Sequence, residues 1–238
     1  MLLLTDCPML SLDIYRPPVY PCPSVHAPPK EPPPQGNAPP QAGQHNGFPK
    51  KANINIASLN VNSATAARED MSCIDKWAMI NCTIRNKKIA ILALQEMHLD
   101  QTLLDQVVAC FRKNLKIINS PHPVNPKASA GIAFVINKDL ICPKEFAVSK
   151  LVPGRAIMLR VKWLETCTMS IINIYAPHNQ NEQPNFWANA GTKRCILHLP
   201  LPDFVLGDFN ITKDAIDWAP AHHDDTTAIE AMRETHRK

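Results

Sequence analysis

The chain has 238 residues, of which 45% are hydrophobic, and a formal net charge of +4 at pH 7. Its length and apolar content suit one sizeable domain with a tail. No run of 18 apolar residues occurs, so we expect no membrane span. The small positive charge permits a phosphate-bearing partner but does not require one.

The beginning of the chain is rich in proline. Residues 1–50 hold 13 of the 23 prolines. Because proline lacks a backbone donor and fixes φ, we expect this segment to join no helix or sheet ladder. We therefore predict a disordered leader over residues 1–51 and a globular domain over residues 52–238. A docking site for an SH3-like partner is the alternative to a plain linker. No obligate protein partner is evident.

The eight cysteines are scattered and form no CxxC pair, which argues against a zinc ribbon. We interpret them as buried thiols in a reducing compartment and expect an intracellular protein. No basic cluster of the nuclear-import type is present, so the sequence does not choose between nucleus and cytoplasm.

From residue 52 onward, apolar runs alternate with helical periodicity. Continuous or alternating apolar runs predict strands over 54–60, 89–94, 115–119, 131–137, 156–163, 167–177 and 204–207. Apolar stripes and capping residues predict helices over 71–86, after Asp100 and from near Thr227. Strands that first alternate with helices and then follow one another favour an α/β sandwich, with helices outside a sheet core.

Four of the predicted strands end in polar side chains. The first ends in Asn60, the second is followed by Glu96, and a later one ends in Tyr175. The last is followed by Asp208 and Asn210, which can share one face because side chains two apart on an extended chain point the same way. Polar residues also occur wherever a strand reaches water, but four such ends favour a common site.

The polar residues at these ends suit a hard metal ion. Carboxylate and amide oxygens, without cysteine or histidine at metal spacing, favour Mg²⁺ or Mn²⁺ over Zn²⁺. Glu96 fits the role of metal ligand, Asp208 could orient an attacking water, and Asn210 could donate to a phosphoryl oxygen. These residue types predict phosphodiester hydrolysis.

Five short motifs carry a family resemblance. They are "SLN" at 58–60, "LQEMHL" at 94–99, "GIAFVIN" at 131–137, "NIYAP" at 173–177 and "LGDFN" at 206–210. Their order resembles that of the endonuclease/exonuclease/phosphatase superfamily, also called DNase I-like. Within it, the chain most resembles the endonuclease domain of fungal non-LTR (LINE-type) retrotransposons. The resemblance covers about residues 53–238 and implies a four-layer α/β sandwich, with two sheets face to face and helices outside.

The resemblance also implies a role for each candidate site residue. Glu96 looks like the principal Mg²⁺ ligand, and Asn60 looks like the amide beside the metal and its water. Tyr175 resembles the tyrosine that contacts the scissile phosphate. Asp208 resembles the aspartate that orients or deprotonates the nucleophile, and Asn210 the amide that steadies the phosphoryl oxygens.

Three departures from the family's pattern bear on activity. Met97 stands where relatives have threonine, which removes a hydroxyl. His178 follows "YAP" where the family has asparagine, with Asn179 one position late, and we assign this pair to phosphate binding. The "SRID"-like motif and the terminal "SDH"-like motif, which supplies a catalytic histidine, do not occur in these 238 residues. We therefore expect a fold that is incomplete at its C-terminal end.

Three functions follow from these observations. The first is an Mg²⁺-dependent phosphodiester hydrolase that nicks DNA, and the second is a catalytically inactive, truncated remnant of a retrotransposon endonuclease. A related phosphatase or phosphodiesterase is the third. The resemblance supports an enzyme with a DNA substrate by ancestry, whereas the missing histidine motif leaves enzymatic activity open.

Overall fold

A computed structural model describes residues 9–15, 51–61, 73–127, 130–141, 146–162, 168–211 and 226–237. The strands in these ranges are β1 (Met9–Tyr15), β2 (Lys51–Asn60), β3 (Ile89–Gln95), β4 (Leu115–Ser120), β5 (Ile132–Asn137), β6 (Phe146–Val152), β7 (Ala156–Lys162), β8 (Thr168–Tyr175) and β9 (Phe204–Asp208). The α-helices are α1 (Cys73–Asn86), α2 (Gln101–Phe111), α3 (Gln183–Ile196) and α4 (Thr226–Arg237).

The strands form two mixed sheets. The first has the order β1-β2-β3-β5-β4, and the second has the order β6-β7-β8-β9. In the first sheet β2 and β3 run parallel, while β5 runs antiparallel to both of its neighbours. In the second sheet β6, β7 and β8 form an antiparallel series, and β9 runs parallel to β8. Each sheet therefore contains a parallel pair, β2–β3 or β8–β9, whose strands end at the same edge.

Helices α1 and α2 cover the outer face of the first sheet. Trp77 and Ile84 of α1 and Val107 of α2 are buried in one cluster with Leu92 of β3 and Val135 of β5. Asp100 caps α2 by accepting a hydrogen bond from the Leu103 backbone nitrogen at 2.8 Å, as the sequence predicts.

Helix α3 covers the outer face of the second sheet, and α4 packs on α3. Phe186 and Trp187 of α3 lie in a buried cluster with Met158 of β7 and Ile172 of β8, and Met232 of α4 packs against it. The Thr235 hydroxyl of α4 also donates to the Trp187 backbone carbonyl at 3.1 Å.

The inner faces of the two sheets meet each other. Asn173 of β8 donates through Nδ2 to the backbone carbonyls of Leu94 in β3, at 3.0 Å, and Ala133 in β5, at 2.9 Å. Gln95 of β3 returns a bond from its Nε2 to Asn173 Oδ1 at 2.7 Å. Helix, sheet, sheet and helix thus form four layers, which confirms the predicted α/β sandwich.

Strand β1 departs from the prediction that the leader joins no sheet ladder. Its segment "MLSLDIY" lacks proline, and Leu10, Leu12 and Ile14 recur with the strand period of two. The rest of the leader, residues 1–8 and 16–50, lies outside the described residues. The candidate site described below lies entirely in the compact unit of Met1–Leu12 and Ile54–Lys238.

Two further elements were not expected from the sequence. Strand β6 carries a mixed polar and apolar pattern because it is paired only with β7 in the second sheet. Helix α3 has a proline at its first positions and contains Gly191, which is a poor helix former. Burial of Phe186 and Trp187 stabilises this helix despite its weak propensity.

The cysteines differ from the prediction of buried thiols. Cys82, Cys110 and Cys195 are exposed free thiols, and Cys73 is half-buried. The prediction is wrong for these residues because the apolar runs that contain them are helical, and a helix turns part of each run toward solvent. None of the helices in the described ranges is long and apolar enough to cross a membrane.

Candidate active site

The register of the two parallel strand pairs brings their polar ends together. Asn60, the last residue of β2, pairs with Gln95 at the end of β3, so Glu96 follows directly beside it. Tyr175, the last residue of β8, pairs with Asp208 at the end of β9. Because the carboxyl ends of parallel strands lie at the same sheet edge, each sheet presents a pair of polar groups there.

Asn60 connects the carboxylates of the two sheets. Its Nδ2 lies 3.1 Å from Glu96 Oε1 and 2.9 Å from Asp208 Oδ2, and it donates to both. The Glu96 side chain is 15% exposed. The amide thus holds two partly accessible carboxylates on one donor group, and solvent can still reach them.

The backbone of Glu96 is held in an uncommon conformation. Its φ is +54°, in the left-handed region that non-glycine residues seldom adopt. The next residue, Met97, donates its backbone N–H to the Gly131 carbonyl at 3.0 Å, and its side chain is fully buried in the core. Met97 therefore anchors the loop through packing, whereas the sequence suggested only a missing hydroxyl. This anchoring turns Glu96 toward the site.

Gly207 is required where β9 approaches β8. Its φ is +136°, and a Cβ at this position would lie 1.9 Å from the Ile174 carbonyl oxygen. Only glycine allows this close approach. The tight pairing of the two strands then places Asp208 beside Tyr175 at the sheet edge.

Asp208 and Asn210 are oriented by mutual and backbone bonds. Asp208 Oδ1 accepts from the Asn210 backbone nitrogen at 3.0 Å. Asn210 has a φ of +49°, and its Nδ2 donates to the Ala176 carbonyl at 2.7 Å. The Ala176 backbone nitrogen donates in turn to the Asp208 carbonyl at 2.9 Å. The loops after β8 and β9 are therefore joined directly.

Tyr175 contacts both a histidine and a carboxylate of the site. Its hydroxyl lies 2.8 Å from His178 Nε2, which is itself 3.9 Å from Glu96 Oε1. Burial raises the pKa of the Tyr175 phenol well above its usual range, and the hydrogen bond and negative charge of Glu96 raise it further. The phenol therefore stays protonated and remains a hydrogen-bond donor at neutral pH.

Arg155 adds a cation to this edge. Its guanidinium carbon lies 5.5 Å from the centroid of the Tyr175 ring, and Nη1 donates to the Tyr175 carbonyl at 3.4 Å. Within the described ranges, neither of the two ion pairs involves Arg155.

The donor set fits a hard divalent cation. Glu96 and Asp208 supply carboxylate oxygens beside the Asn60 amide, whose Nδ2 faces both of them, and their negative charges already raise the pKa of Tyr175. Among the described residues, no group of three or more histidine, cysteine or acidic side chains could hold a metal ion. A sparse set of one or two carboxylates is typical of Mg²⁺, which keeps several waters and binds substrate phosphate.

Asn179 is not brought into this cluster. Its Oδ1 accepts from the Asn181 backbone nitrogen at 3.1 Å, and its Nδ2 donates to Glu182 Oε1 at 3.3 Å. These bonds cap a short 3-10 helix, Gln180–Glu182. His178, its neighbour, does contact the cluster through Tyr175.

The sequence did not identify two sets of residues that support the site. Gln95 and Asn173 look like polar strand-end residues, but both are buried between the sheets, where Gln95 Nε2 also donates to Ser58 Oγ at 3.1 Å. Gln183 is buried at the start of α3. The signal for the first pair was an amide inside an otherwise apolar strand; Gln183 lay in a segment without clear periodicity.

The fold is shared with known nucleases, although no protein-family model and no curated protein sequence matches the chain. It is similar to an AP endonuclease from Archaeoglobus fulgidus, at 18% identity and a TM-score of 0.55, with 76% of this chain and 69% of that chain covered. An endonuclease/exonuclease/phosphatase family protein from Bacteroides thetaiotaomicron gives 16% identity and a TM-score of 0.50, with coverages of 76% and 68%. An AP endonuclease from Leishmania major gives 13% identity and a TM-score of 0.52, with coverages of 76% and 65%.

This chain therefore spans about two thirds of the length of these structures. The chain accordingly has a DNase I-like fold, which it shares with these structures.

Proposed function

We propose that the protein is a Mg²⁺- or Mn²⁺-dependent phosphodiester hydrolase that nicks DNA. The observation that carries the proposal is the Asn60 amide, which bonds Glu96 of one sheet and Asp208 of the other at 3.1 and 2.9 Å. Neither sheet alone contains this set. The DNA substrate is taken from the motif resemblance and from the AP endonucleases that share the fold.

Glu96 and Asn60 are the residues that would hold the metal ion. Glu96 provides a partly exposed carboxylate, and its backbone is fixed at φ +54°. The amide of Asn60 lies within hydrogen-bond reach of that carboxylate. When bound, the ion supplies Lewis-acid polarisation of a phosphoryl oxygen.

Asp208 is the group that would orient or deprotonate the attacking water. Each carboxylate oxygen already accepts one bond, Oδ1 from the Asn210 backbone and Oδ2 from Asn60. A carboxylate has about four acceptor directions, so a water can still bind to either oxygen. The two existing bonds fix the carboxylate plane, which favours proton transfer in a defined direction.

Donors around Asp208 would bind the phosphate. Asn210 uses one Nδ2 hydrogen on Ala176, and its second hydrogen is suited to a phosphoryl oxygen. The protonated Tyr175 hydroxyl and its partner His178 add two groups within 2.8 Å of each other. Arg155, above the Tyr175 ring, contributes the positive charge that a phosphodiester requires.

The alternative is a catalytically inactive remnant of a retrotransposon endonuclease. The resemblance implies a catalytic histidine from a motif that these 238 residues do not contain. Among the residues that the structure describes, His178 is the histidine in contact with the cluster, and it follows β8. Losing a positioned acid or base typically lowers a rate by about 10²–10⁴-fold.

A plasmid-nicking assay separates these functions. The purified chain is incubated with supercoiled plasmid in Mg²⁺, Mn²⁺ or EDTA, alongside Glu96→Gln and Asp208→Asn, which keep side-chain shape. Asp105→Asn is the matched control, because Asp105 is an exposed carboxylate on α2. We expect metal-dependent nicking by the wild type and the control and loss of nicking in both site variants.

Other results would overturn the proposal in specific ways. Nicking that persists in Asp208→Asn means that a contaminant or another site cleaves the plasmid. No nicking by folded wild-type protein supports the inactive remnant. Hydrolysis of p-nitrophenyl phosphate, without hydrolysis of bis(p-nitrophenyl) phosphate or plasmid, supports a related phosphatase.

A further inference from the structure

Gln183 is a buried amide whose side chain reaches the loops that follow β8 and β9. It is 0% exposed. Its Nε2 donates to the carbonyl oxygens of Pro177 at 2.9 Å, Asn210 at 3.1 Å and Phe209 at 3.3 Å. One side chain of α3 therefore bonds both loops at once.

Trp187 fixes the orientation of this amide. Its Nε1 donates to Gln183 Oε1 at 3.2 Å across one helical turn. Because an indole nitrogen can only donate, this bond leaves the amide nitrogen to face the loop carbonyls. The Trp187 ring also stacks on Phe209, with centroids 6.0 Å apart and an interplanar angle of 14°.

The two loops carry the groups that must act together in the proposed reaction. The loop after β8 brings His178 to Tyr175, and the loop after β9 brings Asn210 to Asp208. Asn210 has a φ of +49°, and Gln183 binds the carbonyl of that same residue. A left-handed residue persists only where its surroundings hold it, and this bond does so.

We infer that Gln183 is a positioning residue, which holds the Asp208–Asn210 loop against the Tyr175–His178 loop. The inference rests on the proposed phosphodiester cleavage. Gln183 touches no reacting group, since it acts through the carbonyls of Pro177 and Asn210. Without the donor, these carbonyls lose their common partner, and the bonds of Ala176 to Asp208 and Asn210 hold the two loops together less firmly.

Three variants test the inference. Gln183→Met keeps the length of the side chain but removes the donor, and Gln183→Lys keeps a donor but removes the acceptor for Trp187. Asn189→Ala is the control, because Asn189 is an exposed amide on the same helix. Two measurements are made on each folded variant: kcat and KM for plasmid nicking in Mg²⁺, and hydrogen exchange of peptides that cover 174–180 and 205–211.

We expect Gln183→Met to lower kcat by about 10–100-fold, because a displacement of about 1 Å can lower a rate by 10²-fold. KM should change little, and exchange should accelerate in both loops. Gln183→Lys should retain more of kcat than Gln183→Met, and Asn189→Ala should match the wild type. If Gln183→Met does not fold, Trp187→Phe removes the orienting N–H together with part of the ring that stacks on Phe209, and it should give the same changes at smaller size.

Unchanged exchange in both loops of a donor-free variant overturns the inference. Faster exchange with a wild-type kcat overturns the positioning role and leaves Gln183 as a structural residue only. Wild-type protein that is folded but does not nick overturns the proposed function, and with it the catalytic part of this inference. The exchange rates still decide in that case whether Gln183 holds the loops.

Discussion

Asn60 Nδ2 lies 2.9 Å from Asp208 Oδ2, although 148 positions separate the two residues in the chain. Asn60 ends β2 of the first sheet, and Asp208 ends β9 of the second. The bond therefore depends on the alignment of the two sheets as well as on the local geometry of the site. A site built in this way depends on the packing of the whole sandwich.

Asn60→Ala tests the bond between the two sheets at the site. It removes the amide that donates to both Glu96 and Asp208. The two negative carboxylates then repel each other without the amide N–H group that stabilises both charges. We expect nicking to fall by about 10²–10³-fold, the effect of removing one preorganised donor. The thermal midpoint should change little, because Asn60 is only half-buried. The measurement is kcat/KM on supercoiled plasmid.

Asn55→Ala is the matched control for this variant. Asn55 lies on the same strand, and its Nδ2 donates to the Lys87 carbonyl, away from the site. It should nick like the wild type. Equal nicking activity of Asn60→Ala and Asn55→Ala would show that Asn60 is not part of the active site.

Much of the candidate site could be predicted because apolar runs and their polar ends are local signals. Asn60, Glu96 and Asp208 each follow a run that reads as a buried strand, and the structure brings them together. The parallel registers that align them depend on long-range pairing, which the sequence pattern does not encode directly. The family motifs supplied this information instead.

What the sequence did not reveal has a common physical cause. Strand β6 and helix α3 have weak patterns, and tertiary contacts with β7 and with the core under Trp187 stabilise them. Gln95 and Asn173 bond across the sheets, and the sequence pattern does not show which distant strand supplies the partner of a buried amide. The missed features are therefore those that tertiary partners determine.

Gly207→Ala tests the close approach of β9 to β8. The new Cβ would lie 1.9 Å from the Ile174 carbonyl oxygen, at a φ of +136°. We expect the free energy of unfolding to fall by at least about 3 kcal/mol. Urea unfolding followed by circular dichroism measures the change.

Gly191→Ala is the control for the glycine substitution. Gly191 lies within α3, where an added Cβ would be 3.3 Å from the Thr235 methyl group. Alanine favours the helix by about 1 kcal/mol, which offsets the small shift of Thr235. A Gly207→Ala protein as stable as Gly191→Ala would show that β9 does not approach β8 this closely.

Asn173→Ala tests the buried amide between the sheets. It leaves the carbonyls of Leu94 and Ala133 and the Gln95 amide without their common partner. We expect a loss of about 3 kcal/mol in the free energy of unfolding, because each buried unsatisfied group costs about 1–3 kcal/mol. The m-value of urea unfolding should stay the same.

Asn119→Ala provides the comparison for this loss. Asn119 is only partly buried, and its bond to the Leu99 carbonyl is long, at 3.4 Å. We expect a change within about 1 kcal/mol. If Asn173→Ala loses no more than Asn119→Ala, then the bonds of Asn173 do not stabilise the contact between the sheets.

The raised pKa of Tyr175 predicts how the stability of the protein changes at alkaline pH. Burial, then the hydrogen bond and charge of Glu96, raise the pKa of its phenol in the folded protein. Because the folded pKa lies above the unfolded value of about 10, this stability is present below pH 10 and is lost as pH rises through the folded pKa. Tyr175→Phe should therefore lose less stability than the wild type as the pH rises above about 10.

Phenol absorbance measures this pKa directly, because the chain has only three tyrosines. The phenol absorbance of Tyr175→Phe is subtracted from that of the wild type at each pH in EDTA. The difference should show a phenol that ionises at a higher pH than the other two. Glu96→Gln should shift this ionisation toward the ordinary range, since it removes a negative charge and an acceptor. Mg²⁺ should act in the same direction if it binds the carboxylates, because it neutralises their charge. A Tyr175 phenol that ionises near pH 10 in EDTA would contradict the burial of this phenol and the contact between its hydroxyl and Glu96.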